Sequence, residues 1–165
     1  MKIKKINLNQ INCYLDSRNL KFNRDKMLNF KEISNLDHYT WWFTNKREIY
    51  FYETKKNKII FFWQQKMNYK NYNFYIGGWH SNYKNTNLFD ILYVLKWLLK
   101  KNEIKKKNYD WLAIVKRKNN SILKLTKYMG YYEIFNNNDY FYKLIKKVFK
   151  PKTNQFHFLR HSLNK

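Results

Sequence analysis

His157 and His161 stand four residues apart, the spacing that sets two imidazoles on one helix face for a metal. No further ligand and no carboxylate accompanies them, so no metal site is expected. The single cysteine, Cys13, permits no intramolecular disulfide and fits a reducing compartment. Neither a Ser-His-Asp arrangement nor a cysteine-centred nucleophile can be built from the spacings. Two stretches carry more. "KNTNLF", Lys84 to Phe89, lies between an apolar run and a long helical stripe, where backbone amides converge on an anion. "NNSILKLTKYMGYYEI", Asn119 to Ile134, reads as a short helix burying Ile122, Leu125 and Met129, then a glycine stop at Gly130, then a strand.

The elements that position these stretches follow from periodicity. Residues 9–34 read as partly helical with a break near Arg18 to Asn23, and Ser34 or Asp37 can cap the next helix, "SNLDHYTWWFTNK". "REIYFYETKKNKIIFFWQQ" is two apolar runs around a turn, and "NYNFYIGGWHS" is a third strand whose Gly77 and Gly78 suggest a bulge or a close approach. A long helix buries Leu88, Ile91, Leu92, Leu95 and Leu99. "YDWLAIVKRK" is a buried strand, "NDYFYKLIKKVF" a last strand, and residues 151–165 a loose basic arm outside a domain spanning 1–150.

Composition sets the outer limits. With 165 residues, 44% hydrophobic and 21% aromatic, the chain can bury a core, which excludes global disorder. No run approaches the roughly 18 apolar residues of a membrane span. The basic start "MKIKKINLNQ" lacks the apolar centre of a signal peptide, so a cytoplasmic location is expected. The net charge of +23 suits a nucleic acid, an anionic membrane or a polyanionic ligand. It also matches a composition rich in Lys, Asn, Ile and Tyr and poor in Gly and Pro. The lysines are spread along the chain, and the runs "KKNEIKKK" and "KLIKK" read as solvated faces. Any nucleic-acid binding is therefore expected to be weak and sequence-independent.

Helices, a meander, a strand entering a long helix, then strand, helix and strand: over residues 6–148 this order resembles the GNAT acyltransferase superfamily. The local match is Asn119 followed by Gly130 and Tyr131, where the family reads Asn, a short helix and Gly-Phe. A second stretch is similar to the members that acylate amino groups of nucleotide-linked sugars. It holds Arg18-Asn19, Ile33-Ser34, and His38 with Trp41, Trp42 and Phe43.

The resemblance implies an α/β (α+β) fold, a single domain with a mixed, mostly antiparallel sheet flanked by helices. It implies transfer of an acyl group, acetyl first of all, from acetyl-CoA to an amine, with a nucleotide-activated amino sugar as acceptor in surface-glycan biosynthesis. Lys84, Asn85, Thr86, Asn87 and Asn119 would hold the coenzyme; Asn87 and Phe89 replace the family's small residues. Arg18, Asn19, His38 and Trp42 would line the acceptor side. Thr126 occupies the position of the family's thiolate-protonating tyrosine, and His80 or Glu53 would take the amine proton. Two other readings stand beside this one: a basic nucleic-acid-binding protein using aromatic stacking, and an inactive GNAT fold that binds a sugar nucleotide.

Overall fold

The computed structural model describes residues 2–54, 57–104, 109–151 and 155–162. Seven strands form one sheet in the order β1-β2-β3-β4-β5-β7-β6. Contacts group into two compact units, Met1–Gln65 with Gly78–Leu95, and Lys66–Gly77 with Lys96–Lys165.

In the first unit, β1 (Ile3–Lys5) runs antiparallel to β2 (Glu48–Glu53), which pairs antiparallel with β3 (Ile59–Tyr69). Between β1 and β2 lie α1 (Ile11–Asn19), α2 (Lys21–Arg24) and α3 (Asn35–Thr44). The helical break falls at Leu20, whose ψ of 130° leaves the helical region. Ser34 caps α3 by accepting from the Asp37 amide. Strand alternation then sorts the aromatics. Ile49, Phe51 and Phe61 pack with Tyr14 of α1 and with Trp41 and Trp42 of α3. Tyr50 stacks on Phe62, and Tyr52 meets Tyr93 of the long helix α4 (Leu88–Ile104).

β4 (Tyr72–Ser81) follows β3 through a two-residue turn, Lys70-Asn71, with φ of 48° and 64°. Gly78 is a close approach: a Cβ there would lie 3.1 Å from the Trp63 indole. The turn expected at "TKKNK" includes residues 55–56, outside the described residues, though Thr54 N–H reaches Lys58 O at 2.8 Å. Residues 105–107 of "KKNEIKKK" also lie outside.

In the second unit, β5 (Asp110–Lys116) pairs in parallel with β4 at Phe74↔Asp110 and Tyr75↔Trp111. α5 (Asn120–Tyr128) ends as expected at Gly130, φ +88°. Tyr131 N–H bonds to Thr126 O and Gly130 N–H to Lys127 O, the paired bonds of a Schellman stop. β6 (Tyr132–Glu133) follows.

Three expectations need correcting. "NDYFYKLIKKVF" is not a strand but α6 (Tyr140–Phe149), because Asp139 caps the Phe141 and Tyr142 amides and Leu144 and Ile145 bury its inner face. The region expected as a loose arm contains β7 (Phe156–His161), which lies between β5 and β6 and buries Phe156, Phe158 and Leu159. On α4 the buried face is Ile91, Val94, Leu98 and Leu99, while Leu88 is 42% exposed. No helix among the described residues is long and apolar enough to cross a membrane.

Candidate functional site

The loop from β4 to α4 decides whether an anion can be held. Lys84, Asn85 and Asn87 are exposed and Thr86 half-buried. Asn85, at φ 60°, takes the left-handed conformation that an asparagine tolerates. Asn87 instead is the helix cap, its Oδ1 accepting the Phe89 amide at 3.0 Å. Thr86 Oγ1 lies 2.7 Å from Ser81 Oγ, which donates to Tyr83 O, and this pins the loop to the end of β4. Phe89 is 79% exposed, so it does not turn into the core.

The donor set suits a diphosphate. It has an exposed ammonium at Lys84, loop amides, a long helix starting at Leu88 and no carboxylate from residue 82 to 89. Asp90, in the first turn, is engaged by Tyr52. Burial first, and the Asp90 carboxylate after it, hold that phenol above its usual range.

Asn119, half-buried, begins α5 with φ −97° and ψ 62° and makes no side-chain cap. Thr126 is buried and its Oγ1 donates to Leu123 O at 3.0 Å, so the hydroxyl is turned onto its own helix. Tyr128, two residues on, is 71% exposed beneath the Lys96 ammonium.

The histidines are clamps. His80, next to last in β4, is almost fully buried, its Nε2–H donating to Tyr14 O at 3.3 Å and its ring edge-on to Tyr14. Burial lowers its pKa to about 3. A neutral, enclosed imidazole of that acidity does not fit a base that meets an incoming amine. His38 is equally enclosed, joins α3 to α1 through Ile11 O at 3.3 Å, and has its pKa lowered by burial. Glu53 is exposed at the end of β2.

The residues expected on the acceptor side mostly fasten backbone. Arg18, 8% exposed, donates from Nη2 to Asn29 O at 2.7 Å and from Nη1 to Lys31 O at 3.3 Å. Asn19 clips Ile33 from both sides, accepting its amide at 3.0 Å and donating to its carbonyl at 2.8 Å. Trp42 is half-buried against Tyr14, ring centroids 5.6 Å apart. Together these hold the 29–34 segment on α1 and leave a shallow groove lined by Asp16, Asn19, Glu32 and Ser34 among others. Its two carboxylates are the wrong charge for a diphosphate.

Sequence reasoning missed Arg47, whose guanidinium lies 3.7 Å from the Trp63 ring centre and 5.1 Å from that of Trp41. An arginine just before an aromatic strand was the available signal. His157 and His161 sit on a strand rather than a helix. His157 Nδ1 meets Glu133 Oε1 at 2.5 Å, and His161 packs on Tyr131.

No family model and no curated protein matches the sequence. Solved structures match along the whole chain. An N-acetyltransferase from Staphylococcus aureus Mu50 has a TM-score of 0.69 at 12% identity, covering 99% of this chain and 98% of that one. The acetyltransferase (GNAT family) from Bacillus anthracis has 0.68 at 14%, covering 99% and 95%. Ribosomal-protein-alanine N-acetyltransferase from Brucella melitensis has 0.68 at 10%, covering 98% and 99%. The chain has the GNAT acetyltransferase fold.

Proposed function

We propose that this chain is an N-acyltransferase that moves an acetyl group from acetyl-CoA to an amine. The observation that carries this reading is the loop from Asn82 to Asn87, free of carboxylates and bearing exposed Lys84, which delivers the chain into the start of α4. Lys84 and the amides of Asn85 to Leu88 would hold the coenzyme diphosphate. In the reaction the amine nitrogen attacks the thioester carbonyl carbon, the C–S bond breaks and the thiolate leaves. Holding amine and thioester together supplies much of the acceleration. The amine proton goes to water, since His80 is enclosed at a pKa of about 3.

The acceptor in this reading is an amine. Its finer identity as a nucleotide-activated amino sugar rests on the resemblance of residues 15–43 alone, because Arg18, Asn19 and His38 are engaged within the fold. Asn119 and the buried Thr126 shape α5 rather than meet the thiolate in this proposal.

Titration calorimetry with acetyl-CoA tests the reading. Micromolar to submillimolar binding is expected, weakened about tenfold by Lys84→Ala through loss of a charge-assisted contact. No heat at millimolar ligand would end the acyl-CoA proposal.

A further inference from the structure

The sequence spreads its lysines along the chain, but the fold gathers some of them. On α6 the buried side chains Leu144 and Ile145 define the inner face. Lys143, Lys146 and Lys147 are exposed and recur at the three- and four-residue steps of a single helical face, opposite that inner one, and exposed Lys150 follows as the left-handed C-cap. From Lys143 to Lys150 the stripe is roughly 10 Å long.

The tip of the β3–β4 hairpin stands beside this stripe. Tyr69, the last residue of β3, has the Lys147 ammonium 5.0 Å and the Lys70 ammonium 5.9 Å from its ring centre. Lys146 lies 5.9 Å from the Tyr142 ring. The tip is held by the left-handed pair Lys70-Asn71 and by the Asn68–Asn73 side-chain bond at 3.1 Å. Residues 66–71 and 140–150 contain no carboxylate.

We propose that α6 and the Tyr69–Lys70 tip form a docking face for single-stranded nucleic acid, bound without sequence preference. The lysine stripe would track consecutive phosphates, releasing their counterions. Phosphates would draw the ammonium groups off Tyr69 and leave its ring to stack on a base, a contact every base can make. An anionic membrane is the poorer partner, because the face offers no fully exposed aliphatic or phenylalanine side chain to enter the acyl region.

The test is fluorescence anisotropy of a labelled 20-nucleotide oligouridylate between 50 and 200 mM KCl, the probe length and salt being about those that resolve a slope of a few phosphates. The pair Lys143→Glu/Lys147→Glu is expected to weaken binding more than about tenfold and to lower the salt slope by about 1.4, two contacts at roughly 0.7 each. The equally charged control Lys26→Glu/Lys31→Glu, on other exposed lysines, should change affinity less than about threefold. Tyr69→Ala, at constant charge, should weaken binding about fivefold or more. Equal losses in the two charge-reversed pairs would reduce the effect to net charge and overturn the proposal. So would an inert Tyr69→Ala, or sedimentation with phosphatidylserine vesicles without oligonucleotide binding.

Discussion

At the residue scale, the side chains that most resembled an acceptor site hold the fold together. Arg18 was legible as a functional arginine because it precedes Asn19 in a familiar pair, but a sequence cannot say whether a guanidinium meets a ligand or two carbonyls. Here it meets Asn29 O and Lys31 O, nearly out of water. Arg18→Ala would leave both carbonyls unpartnered and is expected to cost about 2–3 kcal/mol of stability. Denaturant melts and Michaelis constants on the same protein check it. A stable variant with a strongly raised Michaelis constant would restore Arg18 to the acceptor side. The aromatic cluster follows the same logic, since Gly78 leaves just the space that Trp63 fills beneath Arg47.

At the element scale, the strand–helix order through β5 and α5 could be read from apolar runs and from Gly130, because those signals are local. The chain beyond β6 could not. "FYKLIKKVF" mixes aromatic and β-branched residues that favour strands, and the deciding feature is Asp139 capping two amides of α6. β7 was hidden because Phe156, Phe158 and Leu159 sit in a short basic segment. What makes it a strand is pairing with β5, residue by residue from Trp111↔His161 to Lys116↔Phe156. The loop between β4 and α4 was half legible: its place was evident, but the cap at Asn87 was not. That cap occupies the Phe89 amide, one of the donors an incoming diphosphate would want. Asn87→Gly should cost only a few tenths of a kcal/mol in stability, about what glycine costs at an N-cap. It should tighten acetyl-CoA about fivefold, one freed hydrogen bond of about 1 kcal/mol. Calorimetry on the two proteins decides it, and unchanged or weaker affinity would mean that the amide faces no phosphate.

At the scale of the whole molecule, the buried histidines make stability depend on pH. His80, His38 and His161 all have pKa values lowered first by burial, His80 to about 3. Unfolded, each returns to its ordinary value near 6.5. Between that value and the folded one, the unfolded chain binds more protons, so stability falls as pH drops below about 6.5. Above it both states are neutral and the histidines contribute no slope. For His80, almost fully buried, the loss by pH 5 is about 2 kcal/mol. The acquired charges add to a net +23, so self-repulsion pushes the same way. Thermal melts from pH 7.5 to 4.5 should therefore show a steadily falling midpoint, shallower in His80→Gln, which keeps a donor for Tyr14 O but carries no titratable group. A parent midpoint flat from pH 7 to 5, or parallel curves for parent and variant, would show that His80 is not buried neutral. Its role as proton acceptor for an incoming amine would then be open again.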